Sequence, residues 1–187
     1  SVMADELKRF DVCSIGGHTE VTPNVNKPIL VGQIIGEPVT ETLYDARNAK
    51  VGDKILLWRG AALEGTALLA SERYDDLSSH ILPEQLDTMV GLLDDPGICI
   101  LDAAKALYDI DGIVAMHDPT EGGVATALHE MADAAGCGLE VDASSIPILS
   151  ETLQLAKVLN FDPLGLLASG SLLVICKPGV EELIKKR

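Results

Sequence analysis

The stretch GIVAMHDPTEGGVATALHEMADAA, residues 112–135, decides the fold class of this chain. Its opening residues, GIVAMH, form a β-rich run that predicts a short strand. Residues 119–135 then place apolar side chains on one helix face and polar side chains on another, which predicts an amphipathic helix. A strand that leads directly into a helix is typical of proteins in which α and β elements are mixed.

Between this strand and this helix lies Asp118-Pro119-Thr120-Glu121-Gly122-Gly123, which has two interpretations. In the first, Asp118 caps the helix, Pro119 takes the first helical position and Glu121 closes a capping box. In the second, the two glycines let a ligand approach the backbone, where free N–H groups and the helix dipole favour an anion. An acidic side chain beside such a site suits Mg²⁺ bound to phosphate. The spacing alone leaves both interpretations open.

Two other glycine-containing segments follow predicted strands. GGHTE, residues 16–20, is either another wall of a binding site or a plain turn with a solvated histidine. Metal binding by this histidine is disfavoured, because no second His or Cys stands at ligand spacing. GAALEGT, residues 60–66, lacks the lysine of a P-loop, so we interpret it as a tight junction between a strand and a helix.

The rest of the chain alternates between the two kinds of element, so the predicted fold class is α/β, with α+β character and helices packed on a sheet. Residues 38–50 are interpreted as a linker and residues 74–82 as an exposed loop. Strands are predicted at residues 11–16, 28–37, 53–58, 112–117, 138–143 and 170–177. Helices are predicted near residues 3–10, at 61–73, 83–93, 98–108, 119–135 and 151–159, and after Gly179.

The charge of the chain disfavours two classes of partner. Among 187 residues, 29 are Asp or Glu and 14 are Lys or Arg, which gives a formal net charge of −15. Such a charge repels nucleic-acid backbones and anionic membrane surfaces, so we expect neither as a partner. The apolar runs are also far shorter than the ~18 residues that a membrane span needs.

The cysteines predict a reducing environment. Cys13, Cys99, Cys137 and Cys176 are far apart and form no C-x-x-C pair. This spacing argues against a zinc site and against a disulfide-rich scaffold. We therefore expect four free, buried thiols and a cytoplasmic location.

Both ends of the sequence suggest a fragment of a longer protein. Met3, Leu7 and Phe10 already have helical spacing, and another helix has only begun when the sequence reaches Arg187. A complete domain would normally bury the apolar face of that last helix. We expect the gene to continue well past Arg187.

Several segments together resemble the aminoimidazole-ribonucleotide (AIR) synthetase, or PurM-like, superfamily. The combination of GAALEGTALLA with DPTEGGVATALHE resembles most its hydrogenase-maturation, HypE-like branch. The resemblance implies that residues 1–45 are the remnant of an N-terminal ATP-binding domain, including its last strands. It implies that residues 50–187 are the AIR synthase-related C-terminal domain, truncated at its C-terminus. The matching segments are GGHTEVTP at 16–23, PILVGQIIGE at 28–37, VGDKILLWRGAALEGTALLA at 51–70, HDPTEGGVATALHEMADAAGCGLEVD at 117–142 and DPLGLLASGSLLVI at 162–175.

The same resemblance implies ATP-dependent chemistry with Mg²⁺. HypE-like proteins phosphorylate the oxygen of a carboxamide carried on a C-terminal cysteine and so dehydrate it, which implies such a cysteine on a tail of the full-length protein. The implied partners are a nucleotide and a carbamoyl-donor maturation protein, with a homodimer in the full-length protein. Asp118 is implied to be catalytic and to hold the metal. The implied cofactor-binding residues are Gly17, His18, Thr19, Thr120, Glu121, Gly122 and Gly123.

The chain departs from the HypE-like pattern at Ala168-Ser169-Gly170, where those proteins often carry Asn-Glu-Gly. Most of the N-terminal domain, with its Asp-rich Mg-ATP motif, is also absent. Two alternatives therefore stand beside the dehydratase: an ATP-dependent small-molecule kinase or synthetase, and a catalytically silent paralogue that serves as an interaction module. In either case we expect the chain alone to be inactive.

Overall fold

The computed structural model of the chain describes residues 2–38 and 43–187. These residues fall into two compact units, which divide within residues 39–42. The second unit contains a small sheet and most of the helices, so the predicted mixed α/β class is confirmed. The elements are α1 (Val2–Arg9), β1 (Lys54–Trp58), α2 (Leu63–Glu72), α3 (Tyr74–Leu77), α4 (Pro83–Gly91), α5 (Leu101–Leu107), β2 (Ile113–His117), α6 (Gly123–Ala135), α7 (Ser150–Leu159), β3 (Leu172–Cys176) and α8 (Glu181–Ile184), with short 3₁₀ turns at Ala46–Asn48, Ala143–Ser145 and Pro163–Gly165.

The first unit contains the predicted N-terminal helix, but the strands predicted at residues 11–16 and 28–37 are wrong. Both segments lack regular secondary structure, and the apolar side chains of the second are exposed, from 75% at Ile29 to 87% at Val31. A strand requires hydrogen bonds to a neighbouring strand, and no described segment pairs with either stretch. Because these β-prone segments have no partner strand among the described residues, their side chains stay exposed to solvent.

The sheet of the second unit has the strand order β1-β3-β2, with both neighbours antiparallel to β3. The central strand, LLVIC, is buried at every position because helices cover both faces of the sheet. On one face Leu173 and Ile175 pack with Met131 of α6. On the other face Leu172 and Val174 pack with residues of α5 and α8. The sheet thus forms the middle of a three-layer structure.

A second core lies among α2, α3, α4 and α7. Leu77, Ile81, Leu86, Met89 and Leu155 are buried together there. The prediction of an exposed loop at residues 74–82 is therefore wrong in part, because α3 begins at Tyr74 and two apolar side chains of this segment anchor it to α4 and α7. The strand predicted at residues 138–143 is also wrong, since this exposed segment pairs with no described strand.

Two threonine hydroxyls join α2 to α7 inside this layer. The Thr66 hydroxyl donates its hydrogen bond to the Ala62 carbonyl (2.7 Å). Because its proton is used there, the Thr152 hydroxyl is the donor in the bond to Thr66 Oγ1 (2.8 Å), and both side chains are fully buried.

We predict that Thr66→Val lowers the free energy of unfolding by about 1–3 kcal/mol, because it leaves the Thr152 hydroxyl without an acceptor. Urea denaturation of the single and double valine variants tests this. The double variant should be more stable than Thr66→Val, and a double variant that adds the two single losses would contradict the coupling.

No helix in residues 2–38 or 43–187 is both long and apolar enough to cross a membrane.

Candidate functional site at one edge of the sheet

Three connecting segments meet where β1 and β2 end and β3 begins. Because β1 and β2 are both antiparallel to β3, they end at the same edge of the sheet. Trp58 pairs there with Leu172, and His117 pairs with Leu173. The connections at residues 59–62, 118–122 and 168–171 therefore lie along this edge, and together we call them the sheet-edge site.

Buried contacts hold these connections in place. The Ser171 hydroxyl donates to the Gly60 carbonyl at 2.5 Å, and both residues are buried. Ala61, Ala168 and Val124 pack as one apolar cluster, which links the connections at 59–62 and 168–171 to the start of α6. These contacts restrict the movement of the connections that form the sheet-edge site.

Arg59 ties two of the connections together. Its Nη1 donates to the carbonyls of Gly97 and Gly170, and its Nη2 donates to the Pro96 carbonyl at 2.9 Å. The guanidinium also stacks 4.1 Å above the Trp58 ring. Partial burial lowers the pKa of Arg59, which nevertheless remains cationic at neutral pH. Sequence reasoning missed this residue; its only local signal is a cation next to the single tryptophan.

The helix after β2 starts later than predicted, and Asp118 does not cap it. Residues 119–122 lie outside α6, whose N-cap is Gly122 in the left-handed conformation, with no side-chain hydrogen bond. Pro119 is fully buried and anchors the connection, so the chain makes an extra turn in which the Gly123 N–H donates to the Thr120 carbonyl (3.0 Å). The capping interpretation of Asp118 is therefore wrong.

Two exposed carboxylates remain beside the uncapped start of α6. Asp118 makes no hydrogen bond or ion pair within the described part of the chain. Glu121 does not close a capping box. The pKa of Glu121 lies below its ordinary value because the carboxylate accepts a hydrogen bond from its own backbone N–H and another from the Thr120 side chain. Both groups thus offer negative charge to a cation arriving from solvent.

The two glycines have different roles. Gly122 is exposed and has φ +77°, a conformation that favours glycine. Gly123 is buried with φ +63°, and a Cβ on it would lie 2.4 Å from the Leu166 carbonyl oxygen and 2.5 Å from that of Leu164. Gly123 is therefore needed for the close approach of two backbones, whereas a Cβ on Gly122 would meet the Thr126 side chain, 2.1 Å from its Oγ1.

His117, the last residue of β2, contacts α6. Its Nε2 lies 3.3 Å from Glu130 Oε2, and both side chains are partly exposed. No role for this histidine could be predicted from the sequence, because the pairing depends on how α6 packs on the sheet.

Gly17, His18 and Thr19 belong to the first unit, where they are exposed and outside regular secondary structure. His18 Nε2 lies 3.8 Å from Glu20 Oε2. Asp118 and Thr120 to Gly123 lie together in the second unit. That they share a site with Gly17, His18 and Thr19 stays a prediction.

The sheet-edge site offers one of the protein ligands that a magnesium ion bound to nucleotide phosphate takes. Mg²⁺ usually takes one or two carboxylates, with phosphate and water oxygens completing the octahedron. Asp118 supplies one such carboxylate beside a helix start that has no side-chain cap. Within residues 2–38 and 43–187, no group of three or more His, Cys, Asp or Glu side chains is placed to hold a metal alone.

The cysteines differ in exposure. All four are free thiols, but the prediction that all are buried is wrong, because Cys13 and Cys99 are exposed, Cys137 is half-buried and only Cys176 is buried. Burial raises the pKa of Cys176 to about 11.

We predict that a thiol reagent at pH 8 labels Cys13 and Cys99 quickly and leaves Cys176 unmodified until the protein unfolds, when all four react. Mass spectrometry of timed samples measures this, and native labelling of Cys176 would contradict the packing around β3.

The second unit matches a family model. Residues 50–186 match the model of the AIR synthase related protein, C-terminal domain. Among curated proteins, carbamoyl dehydratase HypE of Escherichia coli is 30% identical over 184 residues, which cover 97% of this chain and 51% of that protein. The same enzyme of Cupriavidus necator is 30% identical over 136 residues, covering 72% of this chain and 35% of that protein. The chain thus spans about half or less of the length of these relatives.

Solved structures show the same fold. E. coli HypE, described as a hydrogenase maturation protein, aligns with a TM-score of 0.63 at 24% identity over 78% of this chain and 41% of that one. HypE in complex with ATP aligns with a TM-score of 0.56 at 21% identity, covering 74% of this chain and 38% of that one. A HypE–HypF complex gives 0.56 at 19% identity, covering 75% and 43%.

Proposed function

We propose, because this chain belongs to the AIR synthase related protein C-terminal domain family of the PurM-like superfamily, that it supplies part of an ATP-dependent, HypE-like carbamoyl dehydratase. Residues 50–187 then form its truncated C-terminal domain, and residues 1–45 are the remnant of its N-terminal ATP-binding domain. The observation that carries the proposal is Asp118, an exposed carboxylate with no structural task beside the uncapped first turn of α6.

This geometry suits phosphoryl transfer to an amide oxygen. That oxygen leaves poorly until it carries a phosphoryl group, and catalysis of such transfers consists mainly of positioning and charge neutralisation. The Val124 and Ala125 N–H groups in the first turn of α6 would orient phosphate oxygens, and Asp118 would hold a Mg²⁺ ion, which would supply the charge neutralisation. Thr120, Glu121, Gly122 and Gly123 line the same turn.

The proposal extends to cofactors, partners and location. Gly17, His18 and Thr19 line the nucleotide site from the other domain. A carbamoyl-donor maturation protein delivers the substrate group, as the HypE–HypF complex suggests. The full-length protein is a cytoplasmic homodimer.

One observation favours a second candidate, an ATP-dependent small-molecule kinase or synthetase. Residues 168–170 at the sheet edge carry no acidic or amide side chain, and Ala168 is fully buried against Ala61 and Val124. A site that lacks a carboxylate there has fewer groups to bind a polar carboxamide.

We predict that the purified chain unfolds cooperatively but does not hydrolyse ATP. The buried layers of the second unit support cooperative unfolding. One carboxylate, Asp118, would hold too little Mg²⁺ to neutralise most of the triphosphate charge. Calorimetry and a phosphate-release assay measure the two properties. Mg²⁺-dependent hydrolysis above background would contradict this prediction.

The function itself is tested in a chimera in which residues 50–186 replace the matching region of E. coli HypE. If the chain is part of a dehydratase, the chimera should turn over ATP only when a cysteine carries a carboxamide. Turnover with a small-molecule acceptor instead favours the second candidate. A folded chimera with no turnover at all favours the silent paralogue.

A further inference from the structure

Arg59 keeps hydrogen-bond donors that the described part of the chain does not use. A guanidinium carries five N–H groups. The carbonyls of Gly97, Gly170 and Pro96 accept three of them, two from Nη1 and one from Nη2. The Nε–H and the second N–H of Nη2 have no acceptor in residues 2–38 and 43–187. Every buried side-chain nitrogen or oxygen in those ranges has a hydrogen-bond partner, so Nε reaches solvent.

The guanidinium of Arg59 is held in place before any ligand arrives. Its three bonds to carbonyls and its stacking on the Trp58 ring, at 4.1 Å, fix the side chain, so little further ordering is needed for binding. The backbone of Arg59 has φ +66°, a left-handed conformation that is strained for a residue with a side chain. A glycine would relieve this strain, but it would remove the cation.

The charges around Arg59 limit the kind of anion that it can bind. Partial burial lowers the pKa of Arg59, whereas Cys99 and Asp95 act in the opposite direction. Asp95 and its exposed neighbour Asp94 form no ion pair with Arg59 within the described ranges. Residues 168–170 carry no carboxylate. One cation near two aspartates, in a chain of net charge −15, suits a single negative charge better than the two of a phosphate.

Exposed apolar side chains lie beside the same guanidinium. Trp58 is 41% exposed and Ile98 is 40% exposed. Ile98 directly follows Gly97, and its Cα is 3.0 Å from the position that a Cβ on Gly170 would take. Exposed tryptophan next to arginine is typical of surfaces that bind a ligand or partner tightly. The ligand's anionic group is therefore expected to be joined to an apolar group.

We infer that Arg59 binds a carboxylate joined to an apolar group, with Nε and Nη2 donating to the carboxylate oxygens and with Trp58 and Ile98 contacting the apolar group. Neighbouring N–H groups of a guanidinium match the two oxygens of a carboxylate. A small organic acid and the C-terminus of a polypeptide both offer this chemistry. The inference does not depend on the proposed function.

The first test compares three small probes on the full chain. Benzoate carries the expected groups, benzamide has the same shape without the charge, and phenyl phosphate carries the larger charge. Trp58 is the single tryptophan, so its fluorescence reports binding beside Arg59. Benzoate should bind about tenfold or more tighter than benzamide, and tighter than phenyl phosphate. Equal binding of benzoate and benzamide, no binding of either, or tighter binding of phenyl phosphate overturns the inference.

Nuclear magnetic resonance locates the carboxylate. The Arg59 Nε–H signal, identified by its loss in Arg59→Lys, should shift with benzoate and not with benzamide. Arg59→Lys keeps the charge but loses the paired donors, so benzoate binding should weaken about fivefold or more. Arg73→Lys makes the same change at the exposed end of α2 and should leave binding unchanged. An unshifted Nε–H signal, or equal effects of the two variants, overturns the inference.

Two further comparisons test the neighbouring charge and the source of the carboxylate. Asp95→Asn should tighten benzoate binding, because it removes a nearby negative charge. Benzoate that binds only to Asp95→Asn would show that Asp95 occupies the free donors, which overturns the inference. An N-acetylated glycine–phenylalanine dipeptide that binds tighter than benzoate assigns the site to a polypeptide C-terminus, and the reverse order assigns it to a small acid. Equal binding of the dipeptide and its C-terminal amide contradicts both.

Discussion

Gly123→Ala is expected to lower the free energy of unfolding by about 2–5 kcal/mol, the largest stability loss we predict for a single methyl group. Two effects combine. The residue has φ +63°, where an L side chain is strained, and the new Cβ would lie 2.4–2.5 Å from two backbone carbonyl oxygens. Neither carbonyl moves freely, because Leu164 lies in the Pro163–Gly165 turn, Leu166 follows it directly, and this turn packs on α6. Urea denaturation of the purified chain measures the loss.

Gly136→Ala is the matched control for Gly123→Ala. Gly136 also has a left-handed conformation, φ +62°, at the other end of α6, but open space surrounds the position of its Cβ. Its replacement removes the conformational freedom without the clash, so we expect a loss of about 1–2 kcal/mol. Equal losses in the two variants would contradict the close approach of α6 to residues 164–166.

The elements that could be predicted from sequence are those whose signal is local. The strands near 53–58, 112–117 and 170–177 and the main helices carry their own periodicity and boundaries, such as Pro83 at the first turn of α4. Residues 11–16, 28–37 and 138–143 have the same β-rich composition but are not strands, because strand formation depends on a partner that is distant in sequence.

The candidate site could be located from sequence but not described in detail. The segment at 118–123 was found because its glycines and acids stand between a strand and a helix. Whether Asp118 caps that helix depends on the burial of Pro119, which no local pattern reveals. Arg59 acts on carbonyls far along the chain, at Gly97 and Gly170, so its role follows only from the tertiary structure.

Asp118→Asn should separate stability from chemistry. Because Asp118 is exposed and is not the N-cap of α6, its replacement in the chain should change the free energy of unfolding by less than about 0.5 kcal/mol. In the HypE chimera the same change removes the carboxylate proposed to hold Mg²⁺. We therefore expect turnover to fall about ten- to thousandfold, since asparagine keeps the shape but not the charge. Phosphate-release kinetics at saturating ATP measure this effect.

Asp133→Asn provides the control for this last variant. It removes one exposed carboxylate from the far end of α6, so it changes the net charge equally without touching the sheet-edge site. Its turnover should match that of the unmodified chimera. If Asp118→Asn and Asp133→Asn have the same turnover, Asp118 holds no metal. If Asp118→Asn instead loses stability, its carboxylate has a structural task that its exposed position does not reveal.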